Sequence, residues 1–157
     1  MKDGGVLINK WDRYFLDMAK HVSSISKDQS TKTGAVIVGS IREVISTGFN
    51  GFPIGIDDAI ERYTSRKTKY QYILHAEENA IVFARRELTY CTLYTYPFQS
   101  CSKCARLLIQ SGIERVVAPK TPTRLVSRWG KDIELATKMF AEAGVQVDIV
   151  DYENKGG

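Results

Sequence analysis

Long apolar runs and blocks of like charge are both missing from this sequence. No apolar stretch approaches the ~20 residues that a helix needs to cross a bilayer. The first residues, MKDGGVLINKWDRYF, lack the apolar centre and small-residue cleavage site of a secretory signal peptide. Lysines and arginines are interleaved with acids, and the formal charge is only +4. These absences predict a cytoplasmic protein that binds neither a membrane nor nucleic acid.

Histidine and cysteine are also scarce, with two histidines and three cysteines among 157 residues. Cys101 and Cys104 have C-x-x-C spacing, which in a reducing compartment indicates a metal or redox pair rather than a structural disulfide. Cys91, in the run YCTLYTY, is typical of a small buried strand residue. His21 lies within a helical pattern and is interpreted as structural, which leaves His75 as the histidine of interest.

The length suits a single domain over residues 1–157, with a core over about 10–150 and a disordered tail over 152–157. Patterning predicts strands at 35–39, 44–49, 91–96, 115–118 and 145–150, and helices at 11–22, 76–87, 102–111 and 131–143. Strands and helices alternate in the second half, which predicts an α/β fold of three layers, α/β/α, around a mixed sheet of about five strands. Residues 57–70 are interpreted as a solvated excursion with partial helix, or alternatively as a lid or subunit contact.

The strongest chemical signal comes from three potential metal ligands. His75 opens a predicted helix in YILHAEENAI, and Cys101 and Cys104 lie at the start of the next helix. Thiolates are favoured at helix N-termini by the helix dipole and by free N–H groups. A structural zinc ion normally has four protein ligands, whereas three ligands leave a position for water. The sequence therefore predicts one catalytic Zn²⁺ between two helix starts, at the edge of the sheet.

A catalytic zinc site of this kind needs a carboxylate that accepts the proton of the water and delivers it elsewhere. Glu77 and Glu78 are the two candidates. Ideal helix geometry would place Glu78, three residues after His75, closer to the histidine than Glu77. Spacing alone does not choose between them.

These motifs resemble the zinc-dependent cytidine deaminase superfamily, whose signature is H-x-E followed by P-C-x-x-C. The HAE motif at 75–77 and the CSKC motif at 101–104 match it, and Ser100 stands in place of the proline. Over about 10–150 the chain is most similar to the deoxycytidylate (dCMP) deaminases. The segments that carry this similarity are STKTGAVIV at 30–38, GFNGFPIG at 48–55, HAEENAI at 75–81 and LLIQSGI at 107–113.

The resemblance implies a cytidine deaminase-like fold and the hydrolytic deamination of dCMP to dUMP, a precursor for thymidylate synthesis. In that chemistry, zinc-activated water attacks C4 of the cytosine. Glu77 takes the water proton, protonates N3, and later passes a proton to the departing ammonia. The backbone N–H of Ala76 is expected to hold the base carbonyl, Asn50 the sugar hydroxyl, and the carbonyl of Ser100 to face the leaving amine.

The resemblance implies other substrate contacts, but for each of these residues a purely structural role is an alternative. Phe98 is expected to pack on the ring or sugar, or else to be a core residue at a strand end. Ser30, Thr31 and Lys32 are expected to hold the monophosphate, or else to form a solvated loop. Asn50 has the alternative of being a turn residue.

The family also implies a homo-oligomer, often a hexamer. Members are often activated by dCTP and inhibited by dTTP, with Mg²⁺, near the loop that here contains Phe49, Asn50 and Gly51. Phe49 stands where tyrosine is commoner.

Three other functions remain open at the level of sequence. A deaminase of a base in tRNA or single-stranded nucleic acid needs a basic groove with aromatic platforms, which the dispersed charge and the GFNG loop disfavour. A free-nucleoside deaminase would prefer nucleoside to monophosphate. A non-catalytic zinc module is disfavoured by an acid beside an open coordination position.

Overall fold

A five-stranded mixed sheet forms the centre of the protein in the computed structural model, which describes residues 7–153. The strands are β1 (Gly34–Val38), β2 (Val44–Phe49), β3 (Thr92–Tyr96), β4 (Arg115–Pro119) and β5 (Gln146–Val150). Their order across the sheet is β2-β1-β3-β4-β5. Strand β1 is antiparallel to both β2 and β3, while β3, β4 and β5 are parallel. The predicted mixed sheet is confirmed.

Helices cover both faces of this sheet. They are α1 (Lys10–Ser23), α2 (Ile60–Thr64), α3 (Arg66–Tyr72), α4 (Ala76–Ala84), α5 (Ser102–Gln110) and α6 (Thr123–Ala143). Side chains of β1 alternate between two cores, because successive strand residues point to opposite faces. Val36 and Val38 pack in the core under α1. Ala35 and Ile37 pack in the core formed with α4, α5 and α6. The three-layer α/β/α prediction is therefore confirmed.

One edge of the sheet gathers the loops that form the site. Gly34, the first residue of β1, lies opposite Phe49 at the end of β2 and Tyr96 at the end of β3. The segments before β1, after β2 and after β3 consequently meet there. A Cβ atom on Gly34 would lie 2.1 Å from the carbonyl oxygen of Ala19, so glycine permits α1 to pack against this edge.

Two helices differ in length from their predictions. Helix α6 begins at Thr123, eight residues before the predicted start at 131. Its first turns contain Gly130, a weak helix former, but the buried Leu125 anchors them against the core. Helix α4 ends at Ala84, three residues before the predicted end at 87, because Arg85 adopts a left-handed conformation with φ of 52°.

Residues 57–70 form the predicted excursion with partial helix, namely α2 and α3, and most of their side chains are exposed. Within 57–70, Tyr63 is buried and stacks on Phe52, with ring centroids 4.2 Å apart. Tyr152, placed in a disordered tail by its sequence, is buried, and its hydroxyl donates to Asp17. Residues 154–157 of the predicted tail lie outside the described residues. Among residues 7–153, no helix is both long and apolar enough to cross a membrane.

Candidate active site

Three predicted metal ligands converge at this loop-bearing edge. His75 is the N-cap of α4, Cys101 is the N-cap of α5, and Cys104 lies in the first turn of α5. The Nδ1 atom of His75 lies 3.4 Å from Sγ of Cys101 and 3.3 Å from Sγ of Cys104. All three ligand atoms lie within 4.8 Å of one another. The chain therefore folds two helix starts around one point, as the motif spacing predicted.

This donor set fits a zinc ion. Tetrahedral zinc with ordinary Zn–N and Zn–S bond lengths separates its nitrogen and sulfur ligands by about 3.5 Å. A hydrogen bond from Cys104 lowers the pKa of the Cys101 thiol to about 4. The hydrogen bond with Cys101 in turn raises the pKa of His75 to about 9. The depressed pKa of Cys101 favours the thiolate that zinc binds, whereas the hydrogen bond with Cys101 raises the pKa of Cys104, so zinc binding must displace a proton from Cys104. Within residues 7–153 no other histidine, cysteine, aspartate or glutamate joins this cluster, so three protein ligands leave a fourth zinc position for water.

Side chains at the helix starts hold these ligands in place. The backbone N–H and the hydroxyl of Ser102 donate to the two carboxylate oxygens of Asp132, over 2.8 Å and 2.6 Å. Asp132 lies on α6, so that helix fixes the first turn of α5 and the cysteines within it. At the start of α4, Glu78 accepts a hydrogen bond from the backbone N–H of His75 over 2.8 Å. Glu78 thus has a structural role as part of a capping box.

Glu77 has a different environment from its neighbour. It is only 7% exposed and lines the same pocket as His75 and Cys101. Burial raises the pKa of its carboxyl group above the ordinary value, and the nearby imidazole of His75 opposes that rise. A carboxyl group with a raised pKa is suited to accept and return a proton near neutral pH. The structure thereby separates two acids that spacing alone left equivalent.

The pocket around Glu77 has a cavity volume of about 70 Å³. Four of the predicted substrate residues line it: Ser30, Thr31, Asn50 and Phe98. Lys32 does not, because it lies in a neighbouring groove together with residues of α1 and Arg124.

Asn50 is buried and contributes to the pocket wall. Its Oδ1 accepts from the backbone N–H of Thr33 over 2.9 Å, and its Nδ2 donates to the carbonyl oxygen of Thr31 over 2.9 Å. The amide of Asn50 therefore fixes the segment that enters β1. One lone pair of Oδ1 remains for a further donor.

Buried hydroxyl groups in and beside the pocket lack partners within the described residues. These are Oγ1 of Thr31 and Oγ1 of Thr95. Thr31 and Thr95 line the pocket. A buried polar group without a hydrogen bond costs about 1–3 kcal/mol, so these groups suit a polar ligand or ordered water. Ser100, which replaces the proline of the superfamily signature, is buried next to Cys101, and a hydrogen bond from its hydroxyl opposes the rise in the pKa of Glu77.

Sequence reasoning missed several residues that line the pocket. Lys69, on α3, is buried and pairs with Asp28 over 3.1 Å. Tyr70 on α3 and both Arg128 and Trp129 on α6 also line the pocket. The signal for α6 was present, since residues 125, 128 and 129 have the i, i+3, i+4 spacing of one helix face.

Comparison with known proteins agrees with this geometry. Residues 9–120 match the model of the cytidine and deoxycytidylate deaminase zinc-binding region. The chain belongs to this deaminase family. His75, Glu77, Cys101 and Cys104 all fall within the matched range, and α6 falls outside it.

Relatives of the deaminase family span bacteria and animals. An Aliivibrio fischeri protein named "Uncharacterized deaminase in luxG 3′region" is 45% identical over 141 residues, which is 90% of this chain and 94% of that protein. The probable deoxycytidylate deaminase of Caenorhabditis elegans is 41% identical over 74% of this chain. The deoxycytidylate deaminase of Homo sapiens is 37% identical over 69% of it. The chain spans 61% and 64% of the lengths of these two animal proteins.

A solved structure has the same fold as this deaminase. The dCMP deaminase of cyanophage S-TIM5, in complex with dCMP and dUMP, aligns with a TM-score of 0.71 over 92% of this chain and 100% of that one. Its sequence is 20% identical, so the likeness concerns the fold. The cytidine deaminase-like fold expected from the motifs is confirmed.

Proposed function

We propose that this chain catalyses the zinc-dependent hydrolytic deamination of dCMP to dUMP and ammonia, which supplies dUMP for thymidylate synthesis. The observation that carries this proposal is the burial of Glu77 in one pocket with His75 and Cys101 of the three-donor cluster. The substrate is inferred from relatives named deoxycytidylate deaminase in human and in Mycobacterium phage D29. The structural neighbour bound to dCMP and dUMP supports the same inference.

Glu77 performs the proton transfers in this proposal. Zinc bound by His75, Cys101 and Cys104 supplies Lewis acidity that makes water nucleophilic near neutral pH. The Glu77 carboxylate takes a proton from that water and delivers it to N3 of the cytosine. It then transfers the second water proton to the leaving amino group, which departs as ammonia. Water and dCMP are consumed, dUMP and ammonia are formed, and Glu77 returns to its carboxylate form.

Neighbouring groups orient the nucleotide. Ala76 is the first residue of α4, where the backbone N–H has no partner within the helix, and we place the base carbonyl there. The carbonyl of Ser100 faces the leaving amine. Oδ1 of Asn50 accepts from the sugar hydroxyl. Phe98, which packs against Trp129 with ring centroids 6.2 Å apart, covers the base or sugar.

A substrate panel tests this function. Zinc-replete protein is expected to release ammonia from dCMP faster than from CMP, cytidine and deoxycytidine, and a chelator should abolish the reaction until zinc is restored. Faster turnover of deoxycytidine would indicate a nucleoside deaminase. Turnover of only a single-stranded oligonucleotide would indicate a nucleic-acid deaminase, and turnover of none would favour a non-catalytic zinc module.

Assembly and regulation are part of the same proposal. We propose a homo-oligomer, with a hexamer as the form that the family resemblance implies, and Val82 and Phe83 on α4, which expose 61% and 43% of their surface, as candidates for the subunit contact. Regulation by dCTP and dTTP with Mg²⁺ stays a prediction for the loop at Phe49, Asn50 and Gly51. Phe49 is 40% exposed there. Light scattering and the panel repeated with both nucleotides, with and without Mg²⁺, test these points. The cytoplasmic location also stays a prediction.

A further inference from the structure

The cationic side chains that line the pocket differ in whether they already have a partner or another role. Lys69 is neutralised by Asp28, since both side chains are buried and their charged atoms lie 3.1 Å apart. His75 belongs to the three-donor cluster, and Glu77 to proton transfer. Arg128 is different, because no carboxylate within the described part of the chain forms an ion pair with it. The pocket thus offers one cation that is not neutralised.

Arg128 is held in position without a counter-charge. Its guanidinium donates a hydrogen bond to the hydroxyl of Tyr70 on α3. It also lies over the ring of Trp129, 5.1 Å from the centroid. Trp129 in turn packs on Phe98, in the segment between β3 and the metal-binding cysteines. Helices α3 and α6 therefore place a preorganised cation and a phenol hydroxyl in the wall of the same pocket.

The proposed substrate carries a phosphate dianion that this arrangement matches. A guanidinium forms two parallel hydrogen bonds with phosphate oxygens, and such charge-assisted bonds are stronger than neutral ones. Lys32, the cation expected from sequence to read the phosphate, does not line this pocket but the neighbouring groove, which shares Ser30 and Thr31 with it. The family match ends at residue 120 and so assigns no role to α6.

We propose that Arg128, assisted by the hydroxyl of Tyr70, binds the 5′-phosphate of the nucleotide and gives the enzyme its preference for a monophosphate over a nucleoside. This inference rests on the proposed deamination of dCMP. It names the residue that reads the phosphate within that function.

The test compares dCMP and deoxycytidine as substrates for the zinc-loaded enzyme. Arg128→Ala should lower kcat/KM for dCMP by about 10- to 100-fold, the usual cost of losing a charge-assisted hydrogen bond. The value for deoxycytidine should stay within about twofold of wild type, because nucleoside offers no phosphate to the missing group. Arg128→Lys should lose less than Arg128→Ala, since it keeps the charge. Inorganic phosphate should inhibit wild type competitively, and the alanine variant more weakly.

Arg124→Ala is the matched control, one helical turn away on α6 and outside the pocket. It should behave as wild type with both substrates. The inference would be overturned if Arg128→Ala lowered kcat/KM equally for dCMP and deoxycytidine. It would also be overturned if Lys32→Ala, and not Arg128→Ala, lowered kcat/KM for dCMP alone. Failure of the wild-type enzyme to deaminate dCMP would overturn the proposed function itself. That result does not depend on any of the variants.

Discussion

Glu77 and Glu78 are identical side chains at adjacent positions, yet the fold gives them different environments. The start of α4 turns Glu78 back toward the N–H of its own N-cap, His75. Glu77, one residue earlier, points into the pocket, where burial raises the pKa of its carboxyl group. A helix rotates about 100° per residue, so two consecutive acids at its first turn cannot share an environment.

Replacing Glu77 with glutamine should separate catalysis from metal binding. The amide has the size of the acid but cannot carry a proton, and loss of a general acid–base group typically costs about 10²- to 10⁴-fold in rate. We expect Glu77→Gln to keep one zinc per chain by elemental analysis while its kcat for dCMP falls by that range.

Glu78→Gln provides the internal comparison for this prediction. Glutamine can still accept the hydrogen bond from the N–H of His75, so the capping box is retained. Its turnover is expected to stay within a few-fold of wild type. Comparable turnover in Glu77→Gln and wild type would remove Glu77 from the proton path.

The individual residues of the site were predictable to different degrees. His75, Cys101 and Cys104 were predictable because metal coordination restricts residue type and spacing together. Thr95 and Lys69 were not, because a threonine in a strand and a lysine in a charged segment carry no local signal of their burial. Their roles arise only where separate segments meet.

At the scale of elements, the close approach of β2 and α4 sets the position of the site. Gly48 in β2 faces the backbone of α4, and a Cβ atom there would lie 2.3 Å from the carbonyl oxygen of Ala76 and 2.5 Å from the amide nitrogen of Ala80. Since Ala76 directly follows His75, any movement of the helix start would carry His75 and Glu77 with it. The glycine of the GFNG motif thus has a packing role in addition to its place in a loop.

Gly48→Ala tests this packing. The added methyl group meets rigid backbone, so one element must shift, and overpacking of this kind costs about 1–3 kcal/mol. We expect the free energy of unfolding in urea to fall by that amount and kcat/KM for dCMP to fall at least about tenfold, because small displacements of catalytic groups are expensive.

Gly51→Ala is the control for that substitution, because a Cβ atom there meets only ring carbons of Phe49, the nearest at 3.7 Å. It should change stability by less than about 0.5 kcal/mol. A Gly48→Ala protein as stable and active as wild type would show that β2 and α4 can separate without disturbing the site.

Most elements were predictable because their apolar patterns are regular, but the start of α6 was not. The sequence predicted a start at 131, whereas burial of Leu125 holds the helix from Thr123 onward. Because of that error Arg128 and Trp129 were not assigned to a helix, so they were not predicted to face the pocket. Tertiary packing therefore outweighed the weak local helix propensity in the part of α6 that forms the pocket wall.

At the scale of the whole molecule, charged contacts join the two ends of the described chain. Arg115 at the start of β4 pairs with Asp12 of α1 and with Asp148 of β5, each over 2.8 Å. The hydroxyl of Tyr94 donates to the same Asp12 over 2.8 Å. Helix α1 and strands β3, β4 and β5 are thereby linked across the sheet. We propose on this basis that the chain unfolds as one cooperative domain.

Zinc should stabilise that single unit as a whole. A ligand that binds only the folded state adds about 2.7 kcal/mol at a hundredfold excess over its Kd. For a domain of this size, each kcal/mol raises Tm by roughly 2–4 °C, so zinc should raise Tm by about 5–10 °C over chelator-treated protein. Calorimetry should show one transition in both states, because α4 and α5, which hold the ligands, belong to the same core as β1 and β3.

Two cysteine variants make the calorimetric result specific to the cluster. Cys104→Ser removes a ligand and should lose most of the zinc-dependent rise, whereas Cys91→Ser changes a buried cysteine outside the cluster and should keep it. A rise that persists in Cys104→Ser would place the metal elsewhere. Two separate transitions in the wild-type protein would contradict the single domain, because one part of the fold would then unfold independently of the rest.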